Sequence, residues 1–257
     1  MRSYAAFFKK ELTEGGRSYK IPLLVLLFLA FGVMNPAIAK LTPWLLELLA
    51  DSMAESGMII SATTVDVSAS WIQFFKNIPM ALIVFLLAYG TSFTSEYQSG
   101  TLVLVFTKGI SRRCVAFAKS SVMLLLWTLG YWLCFAVTLG YNAYFWSHVM
   151  LPNLMPWCVY WWLFGVLTIC ATVFFSMIFN GFAGVAVSVG GFVLLSYLVG
   201  MVPIFSKWTP TSLMQGGAVG MGSVEPPLEY LGAALVAVLL SIAFLVAGLL
   251  LTDKKEL

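Results

Sequence analysis

The side chains that could do chemistry in this chain are few, and they are charged rather than nucleophilic. Residues 94–120 gather Glu96, Lys108, Arg112, Arg113 and Lys119 around Gly100, Thr101 and Ser111. Glu47, Asp51 and Glu55 recur every four residues, so on a helix they would line one face. Sets of this kind recognise opposite charge. Bond-breaking chemistry needs other patterns, and there is no G-x-x-x-x-G-K-[ST] phosphate loop, no H-E-x-x-H zinc helix and no G-x-S-x-G elbow. A single histidine, His148, excludes a multi-histidine metal site. Cys114, Cys134, Cys158 and Cys170 lack the close spacing of a metal knuckle and read as small, inert thiols. The chain is therefore expected not to be an enzyme and to hold no cofactor or metal of its own.

The elements that must position these residues are apolar. Of 257 residues 61% are hydrophobic and only 10% charged, against about 25% charged in ordinary soluble domains. The mean hydropathy is +0.95. The expected fold is an all-α integral membrane protein, one transmembrane domain over 1–257 with six spans. The spans are placed at about 21–39, 78–93, 122–139, 157–178, 182–203 and 230–251. The fourth and fifth are divided only by Phe179-Asn180-Gly181.

Basic residues set the expected orientation. With the N-terminus inside, the inner segments carry Arg2, Lys9, Lys10, Arg17, Lys20, Lys108, Arg112, Arg113, Lys119, Lys254 and Lys255, leaving only Lys40, Lys76 and Lys207 outside. Both termini are expected in the cytoplasm, in a multi-pass protein of the cell membrane. Trp71, Trp146, Trp157, Trp161, Trp162 and Trp208 would form an aromatic belt near the outer interface. A rival reading makes 1–39 a secretory signal cleaved after Ala37-Ile38-Ala39, but its n-region is long and its apolar stretch reaches spanning length.

Four flanking segments carry local signals. Residues 1–20 suit an amphipathic elbow helix ended by Gly15-Gly16, with basic residues toward lipid headgroups and Phe7, Phe8 and Leu12 toward the acyl boundary. Residues 43–57 suit an outer amphipathic helix capped by Thr42 and started by Pro43, its Glu47, Asp51 and Glu55 forming an acidic rim. Residues 204–228 hold Pro210, Gly216, Gly217, Gly220, Gly222, Pro226 and Pro227 and suit a re-entrant segment. In the loop 94–120 a short helix over 102–106 is broken at Gly109, and Ser111 caps the next helix with Arg112 and Arg113 in its first turn. Gly165, Gly181, Gly184, Gly190, Gly191 and Gly200 permit close helix contact, either within the chain or at a dimer seam.

Between Lys119 and Lys207 there is no Asp, Glu, Lys or Arg. Ion-coupled transporters and pumps generally hold ionisable groups at mid-membrane. Energy for uphill movement would then have to come from another protein.

The pattern Glu96-x3-Gly100-Thr101-Leu102-x4-Thr107-Lys108-x2-Ser111-Arg112, followed by Lys119, resembles the first cytoplasmic loop of type-2 ABC exporter permeases. The opening Phe8-Lys9-Lys10-Glu11-Leu12, with Arg17 and Lys20 before the first span, is similar too. Many relatives carry Pro before the Ser-Arg pair, where this chain has Lys108-Gly109-Ile110. The resemblance implies a coupling helix in the loop that docks on a separate ATP-binding subunit through Glu96, Gly100, Thr101, Lys108, Ser111 and Arg112. The Gly181-Phe182 turn would be a second, smaller contact. It further implies a dimer of ATP-binding subunits that hold the ATP and Mg, and a second copy or sister permease. Membrane lipid is the remaining partner, and no nucleic acid is expected. The alternatives are a stand-alone transporter or channel that is not ion-coupled, and a non-transporting membrane scaffold or sensor.

Overall fold

The computed structural model describes residues 2–55, 66–98, 110–146, 150–221 and 227–252. Apolar runs with few charges satisfy their backbone only within themselves, and most of the described residues are accordingly helical. The helices are α1 Arg2–Arg17, α2 Lys20–Glu55, α3 Val67–Gln98, α4 Arg112–Phe145, α5 Leu154–Ile178, α6 Phe182–Gly200 and α7 Leu231–Leu251. Two 3-10 segments, Pro210–Met221 and Pro227–Tyr230, lie between α6 and α7. Six of the helices, α2 to α7, are long and apolar enough to cross a membrane. Helix α1 packs across the start of α4 at the end of the bundle that also holds Lys20 and Leu251, here termed the basal end.

Several helices run well past the apolar stretches that announce them. Helix α2 has 36 residues, about 54 Å at 1.5 Å per residue, where a span of 21–39 was expected. Residues 43–55 of the predicted separate helix over 43–57 are its continuation, and 56 and 57 lie outside the described residues. Thr42 does not cap it: its Oγ1 donates back to the Ile38 carbonyl at 2.7 Å. Helix α3 begins at Val67, eleven residues before the predicted 78, so Ser70, Gln73 and Asn77 belong to the bundle. The break at 179–181 is observed as expected, α5 ending at Ile178 and α6 starting at Phe182.

The core is aromatic. Trp71, Phe74, Trp127 and Tyr131 are fully buried, and their rings meet one another and Phe135 at centroid distances of 5.3–6.2 Å. Aromatic pairs at such separations add to simple area burial. Their polar atoms are used as well. Tyr131 Oη donates to the Cys158 carbonyl at 2.7 Å, and Trp127 Nε1 to the Trp162 carbonyl at 3.2 Å. The expected aromatic belt is thus corrected in part: Trp71, Trp157 and Trp161 point into the protein core, while Trp208 is exposed. Interior volume rather than headgroup contact claims the first three.

Glycines let the helices close in. A Cβ on Gly165 would lie 2.2 Å from the Trp127 indole, and one on Gly130 would lie 2.4 Å from the Phe28 ring. Gly190 and Gly191, by contrast, face open space. Trp127 is pinned by its hydrogen bond and cannot retreat freely. Gly165→Ala is therefore expected to destabilise the fold by about 1–3 kcal/mol through overpacking. A lowered thermal midpoint of the detergent-solubilised protein would show it, and an unchanged midpoint would mean that Trp127 has room to move.

Candidate functional site

At the basal end, two stretches far apart in sequence are brought into contact. Helix α1 is amphipathic, as its pattern predicts, but it continues through Gly15 and Gly16 to Arg17. The chain turns at Tyr19, whose φ is 58°. Phe7 does not face outward as expected; it is buried with Val115 and Ala118 of α4, with Tyr4, Phe8 and Ile110 around them. Tyr4 also meets Phe117 at 5.4 Å between ring centroids. The apolar face of α1 is therefore occupied by α4.

An ion pair sits inside this contact. Lys119 Nζ donates to Glu11 Oε2 at 3.2 Å, with the two side chains 3% and 10% exposed. The same ammonium lies 5.9 Å from the centroid of the Phe93 ring on α3, a cation–π distance. Three helices thus converge on one buried charge. Nearby, Tyr89 Oη of α3 is buried without a hydrogen-bond partner among the described residues, and a Cβ on Gly15 would lie 3.3 Å from it. Lys10 bridges Glu11 at 3.2 Å and Glu14 at 2.8 Å. The Lys10 hydrogen bond holds the Glu14 carboxyl below its ordinary range, against the opposing effect of desolvation. The stabilisation this gives is lost as pH falls through the lowered value, and it is small because both groups are largely exposed.

The loop side of the site is carried by α4. Ser111, in extended geometry at φ −68° and ψ 144°, accepts a hydrogen bond from the Cys114 amide at 3.3 Å. It is the predicted cap. Arg112 and Arg113 follow in the first turn, half-buried and exposed respectively, and both are engaged by other groups. Glu96 lies in the last turn of α3. Gly100, Thr101 and Lys108, and the predicted short helix over 102–106, lie outside the described residues. Gly181 and Phe182 start α6 at this same end. Phe182 turns inward, however: its ring covers Gly90 of α3, where a Cβ would lie 2.7 Å from it. At the opposite, distal end, Glu47 is exposed on α2, and Asp51 and Glu55 share the last turns of that helix.

Above Phe182 a cleft of about 340 Å³ opens between α3, α5, α6 and the first 3-10 segment. Leu86, Phe164, Thr168, Val189 and Met214 are among its walls. Thr168 and Thr172 turn their hydroxyls onto their own helix, to Gly165 and Thr168 carbonyls at 2.8 Å, and so present methyl groups. Such a cleft accepts an apolar group and offers nothing to a charge.

Sequence reasoning missed a polar chain in the distal half. Gln73 donates to Asn77 at 3.3 Å, Asn77 to Asn35 at 2.7 Å, Asn35 to Thr138 at 3.0 Å, and Thr138 to the Gly32 carbonyl at 3.0 Å. Ser70 donates separately to Asn142 at 2.7 Å. The signal was the dipeptide Asn35-Pro36 within an apolar run.

The fold and site define an all-helical chain with six helices able to cross a membrane and an α1–α4 ion pair at the end where the charged loop enters. No protein-family model and no curated protein matches the chain.

Proposed function

We propose that this chain is the membrane-spanning permease of an ATP-driven, type-2 ABC exporter, with ATP hydrolysed on a separate subunit. The observation that supports this most is the buried Glu11–Lys119 pair. The two stretches that resemble that family, 8–12 and 94–120, meet at this pair although they are 108 positions apart. Helix α1 is thereby tied to the helix that leaves the charged loop, and α3, which enters it, supplies Phe93. Force applied to the loop would reach three helices at once. The apolar cleft beside α6 gives the moving bundle a place to hold an apolar part of a cargo. Both termini then lie in the cytoplasm, with Arg112 and Ser111 facing the ATP-binding partner, and Asp51, Glu47 and Glu55 outside.

Co-purification with the candidate ATP-binding subunit tests the reading. Wild type is expected to retain that subunit in detergent, and Arg112→Glu and Glu96→Ala are expected to lose it while remaining inserted and monodisperse. A wild-type chain that never holds an ATP-binding subunit overturns the exporter, and flux without ATP would favour the stand-alone channel. Orientation is checked independently: reporter fusions at either terminus are expected to report the cytoplasm, and a periplasmic or extracellular report from either defeats the topology.

A further inference from the structure

At the distal end a second cavity, about 400 Å³, lies between the end of α6 and the first 3-10 segment. Its character is opposite to that of the apolar cleft. Thr209, Thr211 and Ser212 form its floor and are each less than a tenth exposed. Gly200 opens the space: a Cβ there would lie 2.8 Å from Thr209 Oγ1 and 3.6 Å from Thr211 Oγ1. Thr211 Oγ1 is 3.4 Å from Ser196 Oγ, and Ser212 Oγ donates to the Thr209 carbonyl at 2.7 Å. Thr209 Oγ1 has no hydrogen-bond partner among the described residues, although it is buried. An orphaned buried hydroxyl is unfavourable by about the desolvation of that group, so an occupant that bonded it would be favoured.

The walls say what kind of partner fits. Among the described residues no charged side chain lines the cavity, and Lys207, in the adjoining turn, is matched by Glu229. A charged ligand would lose its hydration without compensation. Hydroxyls both donate and accept, so an uncharged hydroxylated group complements them. The rim is apolar. Tyr197 on α6 and Met201, its C-cap, line the cavity and continue a stripe with Leu194 and Leu198 at helical spacing, all four about half exposed or more. A polar floor thus passes directly into an apolar track that runs along a helix able to cross a membrane.

We propose that this cavity binds the uncharged, hydroxyl-bearing headgroup of an amphiphile whose tail lies along Leu194, Tyr197, Leu198 and Met201. The site is independent of the exporter reading and stands or falls without it.

The test uses the full chain in phosphatidylcholine nanodiscs with and without 1-monooleoylglycerol, read by the thermal midpoint. The lipid is expected to raise the wild-type midpoint by about 5 °C. Thr209→Val removes only the orphaned hydroxyl. It is expected to raise the midpoint in phosphatidylcholine alone, because the unpaired group is gone, and to abolish the response to the lipid. Thr209→Ser keeps the hydroxyl and is expected to keep the response. An equal shift in wild type and Thr209→Val, or none in wild type, overturns the proposal. Free glycerol producing the full shift would also overturn it, since the tail would then play no part.

Discussion

Glu11→Gln is expected to lower the stability of the fold by about 3 kcal/mol, among the largest effects of any single substitution in this chain. Lys119 is 3% exposed on α4, so Glu11→Gln takes a carboxylate away from an ammonium that cannot regain water in its place. Glutamine preserves the shape and one acceptor, so packing around Phe7 and Val115 is undisturbed and the loss is electrostatic. Lys119→Met alone leaves Glu11 mostly buried and is expected to be damaging too. The double variant Glu11→Gln, Lys119→Met removes both charges and is expected to recover most of the loss, because neutral groups of similar length need no compensation there. Thermal midpoints of the four proteins in one detergent make the cycle, and strongly non-additive losses are the expected result. Additive losses would mean that the two charges do not feel each other. Under the exporter reading the double variant has a further use. It is expected to fold and to bind the ATP-binding subunit, yet to couple ATP turnover to transport less well, since α1 is no longer held to α4 by charge.

The sequence shows six apolar stretches, and the structure has six helices long and apolar enough to span, each overlapping one of them. Hydropathy finds the part of a helix that lipid or core must cover, which is why Phe182–Gly200 and Leu231–Leu251 fall close to the expected bounds. It does not find where a helix stops. Gln73, Lys76 and Asn77 read as loop because they are polar, yet they ride on α3, where Asn77 is buried against Asn35. Pro43 reads as the start of a new helix, yet α2 passes through it, as it does through Pro36. In the candidate site, Ser111 as a cap followed from local chemistry and is observed. The pairing of Glu11 with Lys119 did not, because nothing local distinguishes a lysine that will be buried from one that snorkels. Phe7 reads as facing the acyl boundary, and Trp71 as part of an interfacial belt, for the same reason: an apolar residue near an interface fits protein and lipid equally well, and only the neighbouring helix decides.

Thr138→Val is expected to destabilise the bundle by about 2 kcal/mol, and Pro36→Ala is expected to reverse part of that loss. Proline at 36 has no N–H, so the Gly32 carbonyl one turn earlier loses its helical donor. Thr138 of α4 supplies the missing bond at 3.0 Å, and it can come close because Gly32 has no Cβ: one placed there would lie 2.8 Å from Val137. The Thr138 hydroxyl also accepts from Asn35, which itself accepts from Asn77, so a single oxygen ends a chain linking α2, α3 and α4. Interhelical hydrogen bonds in membranes contribute about 0.6 kcal/mol on average and up to about 1.7. Valine forfeits two of them and leaves a buried carbonyl and a buried amide unpaired. Alanine at 36 restores an N–H to the Gly32 carbonyl, so in that background Thr138→Val should cost about half as much. The measurement is again the thermal midpoint of the four proteins. If Pro36→Ala brings no relief, the Gly32 carbonyl is not what Thr138 serves, and the cost lies in Asn35. Asn35→Leu separates these possibilities: it breaks the chain to Asn77 but leaves Thr138 on Gly32, and its loss should be insensitive to residue 36.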